Sequence, residues 1–93
     1  MYYVYILHCA NGSFYVGSTE DIDSRLKAHN EGRGAAHTYK HRPVQLVYSE
    51  SCISETAAIK REHQLKRWSR QKKQTLADGN LVRLKALSKR RRD

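Results

Sequence analysis

The segment YYVYILHCANGSFYVGST, residues 2–19, decides the fold of this chain. Its two halves, residues 2–9 and 14–18, are rich in aromatic and β-branched residues, which favour β-strands. Between them lies Asn11-Gly12, a dipeptide typical of tight turns that join antiparallel strands. The sequence therefore predicts that the protein opens with a β-hairpin.

The length of the hairpin loop decides which side chains share a face, because a shift of one residue reverses every side chain. If Asn11 and Gly12 alone formed the turn, Tyr5 and Tyr15 would lie on different faces. If Ala10 joins them in a three-residue loop, with Gly12 in the left-handed conformation, the two tyrosines share a face. This second register also gives a coherent apolar face, and we predict it. The tyrosine face then holds Tyr3, Tyr5, Leu7, Tyr15 and Gly17, and the apolar face holds Val4, Ile6 and Val16.

The rest of the chain shows helical periodicity and one further strand. Ser18 or Thr19 is a suitable N-cap for a first helix that should end near Gly32, and Ser54 is a suitable N-cap for a later helix that runs to about Trp68. The remaining elements are a connection at residues 32–43, a third strand at 44–48, and helical segments at 69–77 and 81–87. The sequence predicts a single α+β domain, a three-stranded antiparallel sheet flanked by helices.

One carboxylate lies in an unusual place on the later helix. Ala58, Leu65 and Trp68 form the apolar stripe of that helix. Glu62 follows Ala58 by one helical turn and precedes Leu65 by one turn, so it lies on or beside the stripe. A carboxylate carried toward the core indicates either an ion pair with a nearby base or a functional role.

The positive charge of the chain is concentrated in its last third. The net charge is +9, yet residues 1–59 carry five Lys/Arg against six acidic residues, a net charge of −1. Residues 60–93 carry thirteen Lys/Arg against three acidic residues, a net charge of +10. Such a segment is typical of proteins that bind nucleic acid, because each neutralised phosphate releases counterions. The residues expected to contact nucleic acid are Lys66, Arg67, Arg70, Lys72, Lys73, Arg90, Arg91 and Arg92.

Membrane and disulfide-rich classes are not indicated. Cys9 and Cys52 are too few for a disulfide framework and lie in no CxxC spacing, so we expect a reducing compartment, the cytoplasm. No stretch approaches the ~20 apolar residues of a membrane helix, and the basic segments lack a strong apolar face. We expect no membrane partner and no small-molecule cofactor.

Two short motifs in the hairpin resemble the paired motifs of the GIY-YIG nucleases. Val4-Tyr5-Ile6 and Tyr15-Val16-Gly17 place their tyrosines ten residues apart. Further along the chain, Arg25 and His29 have the spacing of the family's first-helix Arg and His, and Ala58-x-x-x-Glu62 is similar to the helix that carries its metal-binding Glu. The resemblance spans residues 2–76, with the motifs in the family's order, and is greatest to the small stand-alone bacterial members.

The resemblance divides the chain into a nuclease domain at residues 2–76 and a basic C-terminal helix and tail at residues 77–93. The chain departs from the family pattern at two places. Val4 stands where the family name has Gly, which leaves the following tyrosine intact, and His37 precedes Thr38 where close relatives usually have Tyr. The role of His37 therefore stays open. The role of Asn80 also stays open, because it matches either a late Asn of the family or a helix cap.

The resemblance also implies a role for each site residue. Glu62 is the expected ligand of one divalent cation, Mg²⁺ or Mn²⁺, whose other ligands are waters and phosphate oxygens. Arg25 suits the scissile phosphate, because its planar guanidinium donates paired hydrogen bonds. Tyr5 and Tyr15 are expected to place phenol oxygens near the attacking water, and Gly17 to allow close backbone approach to the phosphate or to the waters of the metal.

Three alternatives remain open from the sequence. The general base is either Tyr5 or His29, since a phenol with a pKa near 10 is a weak base unless its pKa is lowered. The function is either hydrolysis of DNA, by nicking or on single-stranded or structured substrates, or nucleic-acid binding without catalysis through the basic C-terminal helices. The protein is either a monomer or a weak homodimer.

Overall fold

The computed structural model of the protein describes residues 1–79. Three strands form one antiparallel sheet in the order β2-β1-β3, so that β1 is the central strand. Helices flank this sheet, and the predicted α+β fold is confirmed. The elements in chain order are β1 (Tyr2–Cys9), β2 (Phe14–Thr19), α1 (Ile22–Asn30), α2 (Ala36–Lys40), β3 (Val44–Cys52), α3 (Glu55–Lys66) and α4 (Arg70–Ala77).

The hairpin has the three-residue loop that the sequence predicts. Tyr5 pairs with Gly17, and Leu7 pairs with Tyr15. Gly12 has a φ of 87°, a left-handed conformation that glycine adopts without the steric cost of a β-carbon. Because the side-chain period of a strand is two, this register places Tyr5 and Tyr15 on the same face.

The sheet separates two apolar clusters, which explains why the central strand is buried on both faces. Val4, Ile6 and Leu7 are each at most 1% exposed. On one face, β1 and β2 pack against α3 and α4 in a cluster whose buried members are Val4, Ile6, Val16, Ala58, Leu65 and Leu76. On the other face lie Tyr5, Leu7, Cys9 and Val44, with Tyr15 and Leu26 packed against them. Tyr5 is thus an interior residue that carries a polar hydroxyl.

The helix α1 begins later than predicted. Neither Ser18 nor Thr19 is its N-cap, because β2 continues through Thr19, which pairs with Tyr3. Asp21 caps the helix instead, and its carboxylate accepts hydrogen bonds from the backbone N–H and the hydroxyl of Ser24, at 3.1 and 2.9 Å. The strand pairing thereby moves the N-cap two or three residues along the chain.

Other elements differ from the prediction in length or were not predicted. The strand β3 continues past residue 48 to Cys52, because Tyr2 of β1 offers it a pairing partner there. The short helix α2 lies inside the stretch that was predicted to be an irregular connection. Helix α3 has the N-cap expected at Ser54, and Ser69, the first residue of the helical segment predicted at 69–77, is the N-cap of α4. The helix predicted at 81–87, Asn80 and Arg90 to Arg92 lie outside the described residues.

Candidate active site

The hydroxyl of Tyr5 begins a chain of buried hydrogen bonds. The Tyr5 hydroxyl lies 3.0 Å from Nε2 of His29, and Nδ1 of His29 lies 2.7 Å from Oγ1 of Thr38. The hydroxyl of Thr38 donates to the backbone carbonyl of Ala35 at 2.9 Å. Tyr5, His29 and Thr38 are 3%, 1% and 0% exposed, so these hydrogen-bonded residues are almost completely buried between β1, α1 and α2. The sequence motifs indicated Tyr5 and His29, and the structure joins them directly.

Burial sets the protonation of the two catalytic candidates. Burial, with a smaller contribution from nearby Tyr15, raises the pKa of Tyr5 above its ordinary value, although Arg25 opposes the shift. Burial lowers the pKa of His29, and the positive charge of Arg25 lowers it further. At neutral pH the phenol therefore keeps its proton and the imidazole is uncharged.

Two glycines allow this chain of residues to pack. The ring of Tyr5 covers Gly17, where an added β-carbon would lie 2.6 Å from the Cζ atom of the tyrosine. The loop before α2 crosses the ring of His29 at Gly34, where a β-carbon would lie 2.7 Å from Cε1 of the histidine. Both distances are shorter than ordinary carbon–carbon contacts. The predicted approach of Gly17 to phosphate stays a prediction, and its observed close contact is with Tyr5.

Tyr15 and Arg25 lie at the outer side of the same group. The ring of Tyr15 contacts the ring of His29 edge-on, with centroids 5.1 Å apart, and stacks in parallel with His37 at 6.4 Å. Arg25 is exposed on α1, one turn before His29, and its charge acts on both Tyr5 and His29. The structure therefore brings the predicted tyrosines, arginine and histidine together on one side of the sheet.

Glu62 approaches this group from α3. One carboxylate oxygen accepts a hydrogen bond from the hydroxyl of Ser18 at 2.7 Å, and the other forms an ion pair with Nζ of Lys66 at 2.7 Å. Burial opposes ionisation of this carboxyl, but Lys66 and Ser18 outweigh it and hold the pKa of Glu62 below its ordinary value. Its charge reaches Tyr5, since it contributes to the raised pKa of that phenol.

The site fits one hard divalent cation with few protein ligands. Within residues 1–79 no group of three or more His, Cys, Asp or Glu side chains could hold a metal ion. Glu62 offers one ionised carboxylate, whose side chain is 16% exposed, and the Lys66 paired with it is 48% exposed and able to move aside. Mg²⁺ commonly binds through one or two carboxylates together with waters and phosphate oxygens, which this arrangement permits.

Sequence reasoning missed three residues that shape the site. Thr38 supports His29, Gly34 makes room for the imidazole, and Ser18 orients the carboxylate of Glu62. Thr38 and Gly34 gave no periodic signal, since they lie in a polar stretch without a repeating apolar pattern. The only indication in the sequence that Ser18 belongs to the site was its position directly after Gly17 of the second tyrosine motif.

Four of the basic residues predicted to contact nucleic acid lie at three places on the described residues. Lys66 belongs to the site itself, where the nearby Glu62 and, more weakly, Tyr15 raise its pKa. Arg70 and Lys73 line a cavity of about 330 Å³ at the hairpin tip with Asn11, Ser13 and Phe14. Arg67 lines a cavity of about 490 Å³ with Lys60, His63, Gln64 and Trp68.

Lys72, which the sequence predicts to contact nucleic acid, lies in the interior of the protein. Its side chain is 0% exposed, and its Nζ lies 4.3 Å from the centroid of the Trp68 ring. This burial does not favour contact with a phosphate, and the predicted contact stays a prediction. The sequence could not distinguish Lys72 from its neighbours, because all of them were assigned by charge alone.

A hairpin with two tyrosines, a helix with Arg25 and His29, and a helix with one partly buried glutamate make up a small domain built on paired tyrosine strands. The chain belongs to the GIY-YIG family, since residues 1–75 match the family model for the GIY-YIG catalytic domain. It is 49% identical over 72 residues to the UPF0213 protein SSP2268 of Staphylococcus saprophyticus, covering 77% of this chain and 88% of that protein. It is 46% identical over 77 residues to the UPF0213 protein HQ_3675A of Haloquadratum walsbyi, covering 83% and 86%.

Solved structures show the same fold. The solution NMR structure of the UPF0213 protein BH0048 from Bacillus halodurans has a TM-score of 0.54 and 41% sequence identity. That of the protein EF2693 from E. faecalis has a TM-score of 0.56 and 37% identity. Each comparison covers 86% of both chains. In the part of the chain that the structure describes, no helix has the length and apolar character needed to cross a membrane.

Proposed function

We propose that this protein is a divalent-metal-dependent endonuclease that hydrolyses phosphodiester bonds in DNA. The observation that carries the proposal is the environment of Tyr5, whose hydroxyl is hydrogen-bonded to the uncharged His29 and lies within electrostatic reach of Arg25 and Glu62. The hydrogen-bonded pair of Tyr5 and His29 thus lies near a permanently charged guanidinium and an ionised carboxylate. Membership of the GIY-YIG family supports the same function.

The buried pair is suited to activating water. A phenol is a weak base by itself, because its ordinary pKa is near 10 and burial raises it here. Nε2 of His29 lies 3.0 Å away, and the uncharged imidazole can accept a proton there when its own hydrogen is on Nδ1. As the water attacks phosphorus, Tyr5 takes a proton from it and passes its own proton to His29. This order of proton transfers gives Tyr5 and His29 each a role and does not require a stable phenolate.

Arg25 and Glu62 are the charged groups that would bind and stabilise the reacting phosphate. Arg25 is exposed and always charged, so it can donate paired hydrogen bonds to the phosphoryl oxygens as negative charge grows on them. Glu62 would hold Mg²⁺ or Mn²⁺ in place of its present contact with Lys66. When bound, such a cation neutralises phosphate charge and assists the departing oxygen. Tyr15, in contact with His29, limits the space in which the water lies.

The basic surfaces would bind the substrate strand beyond the reacting phosphate. Arg70 and Lys73 line the cavity at the hairpin tip, and among residues 1–79 no acidic residue lines it. Two cations without an acidic neighbour in the cavity wall favour a polyanion. Because one chain carries one site, a monomer would nick duplex DNA or cut single-stranded or structured DNA.

The test is a cleavage assay on labelled single-stranded, nicked and branched DNA with Mg²⁺, Mn²⁺ or EDTA. The wild type should cut in the presence of metal, and Glu62→Gln should lower the rate by about 100-fold or more, because the ligand loses its charge. Glu55→Gln is the matched control, since Glu55 is an exposed acid on the same helix. Its rate should equal that of the wild type.

The second candidate function is nucleic-acid binding without catalysis, which the cation-lined cavity favours. It predicts DNA binding in EDTA that Glu62→Gln leaves unchanged, with no cutting by the wild type under any condition. That result would overturn the proposed nuclease. Metal-dependent cutting that Glu62→Gln abolishes would overturn the binding module.

A further inference from the structure

We propose that Thr38 is a positioning residue of this site, because its hydroxyl fixes which nitrogen of His29 carries the proton. Thr38 lies on α2 and is 0% exposed, so its side chain is enclosed away from the substrate. It acts through the imidazole, whose Nδ1 atom lies 2.7 Å from its hydroxyl oxygen. The inference rests on the proposed function for its catalytic consequence, although the tautomer itself can be measured without any cleavage.

Counting the protons gives the direction of each hydrogen bond from Tyr5 through His29 and Thr38 to Ala35. A threonine hydroxyl has one proton, and that of Thr38 is donated to the carbonyl of Ala35 at 2.9 Å. At its contact with His29 the same oxygen must therefore accept, so Nδ1 carries the hydrogen. The uncharged imidazole has only this one N–H, which leaves a lone pair on Nε2. The hydroxyl of Tyr5, at 3.0 Å, must then donate to Nε2.

The surrounding backbone holds this arrangement in place. Ala35 is the N-cap residue of α2, and its carbonyl also accepts the N–H of Tyr39 at 3.0 Å, so its position is fixed by the helix. On the other side, the backbone at Gly34 lies against the imidazole. Among residues 1–79, no buried side-chain nitrogen or oxygen lacks a hydrogen-bond partner, so these bonds satisfy every member of the chain.

The direction of these bonds decides what Tyr5 can do. With the lone pair on Nε2, the O–H bond of Tyr5 can break as an N–H bond forms on His29, and the phenol oxygen then takes the proton of the attacking water. The imidazolium keeps its Nδ1–H bond to Thr38. With the opposite tautomer, Nε2–H would donate to the phenol oxygen, and His29 could not accept a proton from Tyr5. Thr38 thus selects the productive direction.

The direct test is a long-range ¹H–¹⁵N NMR spectrum of the full chain labelled at histidine nitrogens, recorded without DNA or metal at neutral pH. The spectrum of His29→Gln identifies the His29 signals by their loss. In the wild type and in Thr38→Ser, Nδ1 should have the shift of a protonated nitrogen and Nε2 that of an unprotonated one. In Thr38→Val, which has the same shape but no hydroxyl, the Nε2–H tautomer should become the major form.

An Nε2–H tautomer in the wild type overturns the proposal, and so does an unchanged tautomer in Thr38→Val. If Thr38→Val does not fold, the wild type and Thr38→Ser still decide the tautomer. In single-turnover cleavage, Thr38→Val should be slower by about 100-fold, the lower end of the contribution of general acid–base catalysis, while Thr38→Ser recovers the rate. A normal rate with the inverted tautomer also overturns the proposal. Absence of cutting by the wild type instead contradicts the proposed function and leaves the NMR test intact.

Discussion

The ring of Tyr5 lies so close to the α-carbon of Gly17 that a β-carbon at position 17 would stand 2.6 Å from Cζ of the tyrosine. The two residues are paired across β1 and β2, so the strand register creates this contact. Gly17 is needed here for space, whereas Gly12 in the turn is needed for its positive φ of 87°. A glycine in the second tyrosine motif therefore positions the tyrosine of the first.

Gly17→Ala should displace the phenol of Tyr5 and slow catalysis while the protein remains folded. A misplacement of about 1 Å can cost about 100-fold in rate, and overpacking costs about 1–3 kcal/mol of stability. Single-turnover cleavage and thermal unfolding measure the two effects. On a Tyr5→Phe background, Gly17→Ala should cause little further loss of rate, because the hydroxyl through which it acts is already absent. A wild-type rate for Gly17→Ala would contradict this role.

The sequence predicted the hairpin and much of the site because local rules determine both. Asn11-Gly12 and the alternation of apolar residues select one register, and that register places Tyr5 beside Tyr15. Helical spacing likewise placed Glu62 near the apolar stripe of α3, where its side chain is 16% exposed. The position of Glu62 depends on residues one helical turn away, and the strand register depends on the single hairpin turn.

The rest could not be predicted, because it depends on contacts between distant segments. Thr38 lies in a five-residue helix, which is too short for an apolar period to appear. Its importance arises only when α2 packs against His29 of α1. The start of α1 at Asp21 likewise depends on the pairing of Thr19 with Tyr3 in another strand.

Lys66→Met should strengthen the binding of Mn²⁺ to the protein without DNA. Nζ of Lys66 occupies one oxygen of Glu62 at 2.7 Å, so a cation at that oxygen must displace it. Removing a competing ion pair worth up to about 1 kcal/mol should lower the dissociation constant by about 2- to 5-fold. Calorimetry measures the change. Lys60→Met is the matched control, because Lys60 lines the cavity beside Trp68 and has no ion pair with Glu62. Weaker Mn²⁺ binding by Lys66→Met would show that Lys66 supports the metal site.

His29 should make the protein less stable in acid. Burial and Arg25 lower its pKa, so the unfolded chain binds a proton more readily than the folded protein. Stability from this residue is therefore complete above the ordinary histidine pKa of 6.5 and is lost as the pH falls toward the lower folded value. The groups facing the ring are Tyr5, Tyr15, Thr38 and Arg25, of which Arg25 alone is charged at these pH values.

Denaturant unfolding between pH 7.5 and 5, about the range in which an ordinary histidine titrates, measures this effect. The free energy of unfolding of the wild type should fall more steeply with decreasing pH than that of His29→Gln. The other histidines contribute equally to the pH dependence of both proteins. The difference between the two slopes is therefore the contribution of His29. Equal slopes would contradict the lowered pKa.

Lys72 and Lys73 are adjacent in the chain but should respond to substitution in opposite ways. Lys73 lines the cavity at the hairpin tip with Arg70, so Lys73→Gln should weaken binding to single-stranded DNA and reduce the salt slope by about 0.7, the value for one phosphate contact. Lys72 is fully buried against Trp68, so Lys72→Gln should lower the free energy of unfolding by about 2 kcal/mol or more and leave the affinity of the folded protein for DNA unchanged. Fluorescence anisotropy in EDTA at several salt concentrations, at a temperature where both variants are folded, measures the affinities. An equal loss of DNA affinity in the two variants would show that charge, and not access to the phosphate, determines binding.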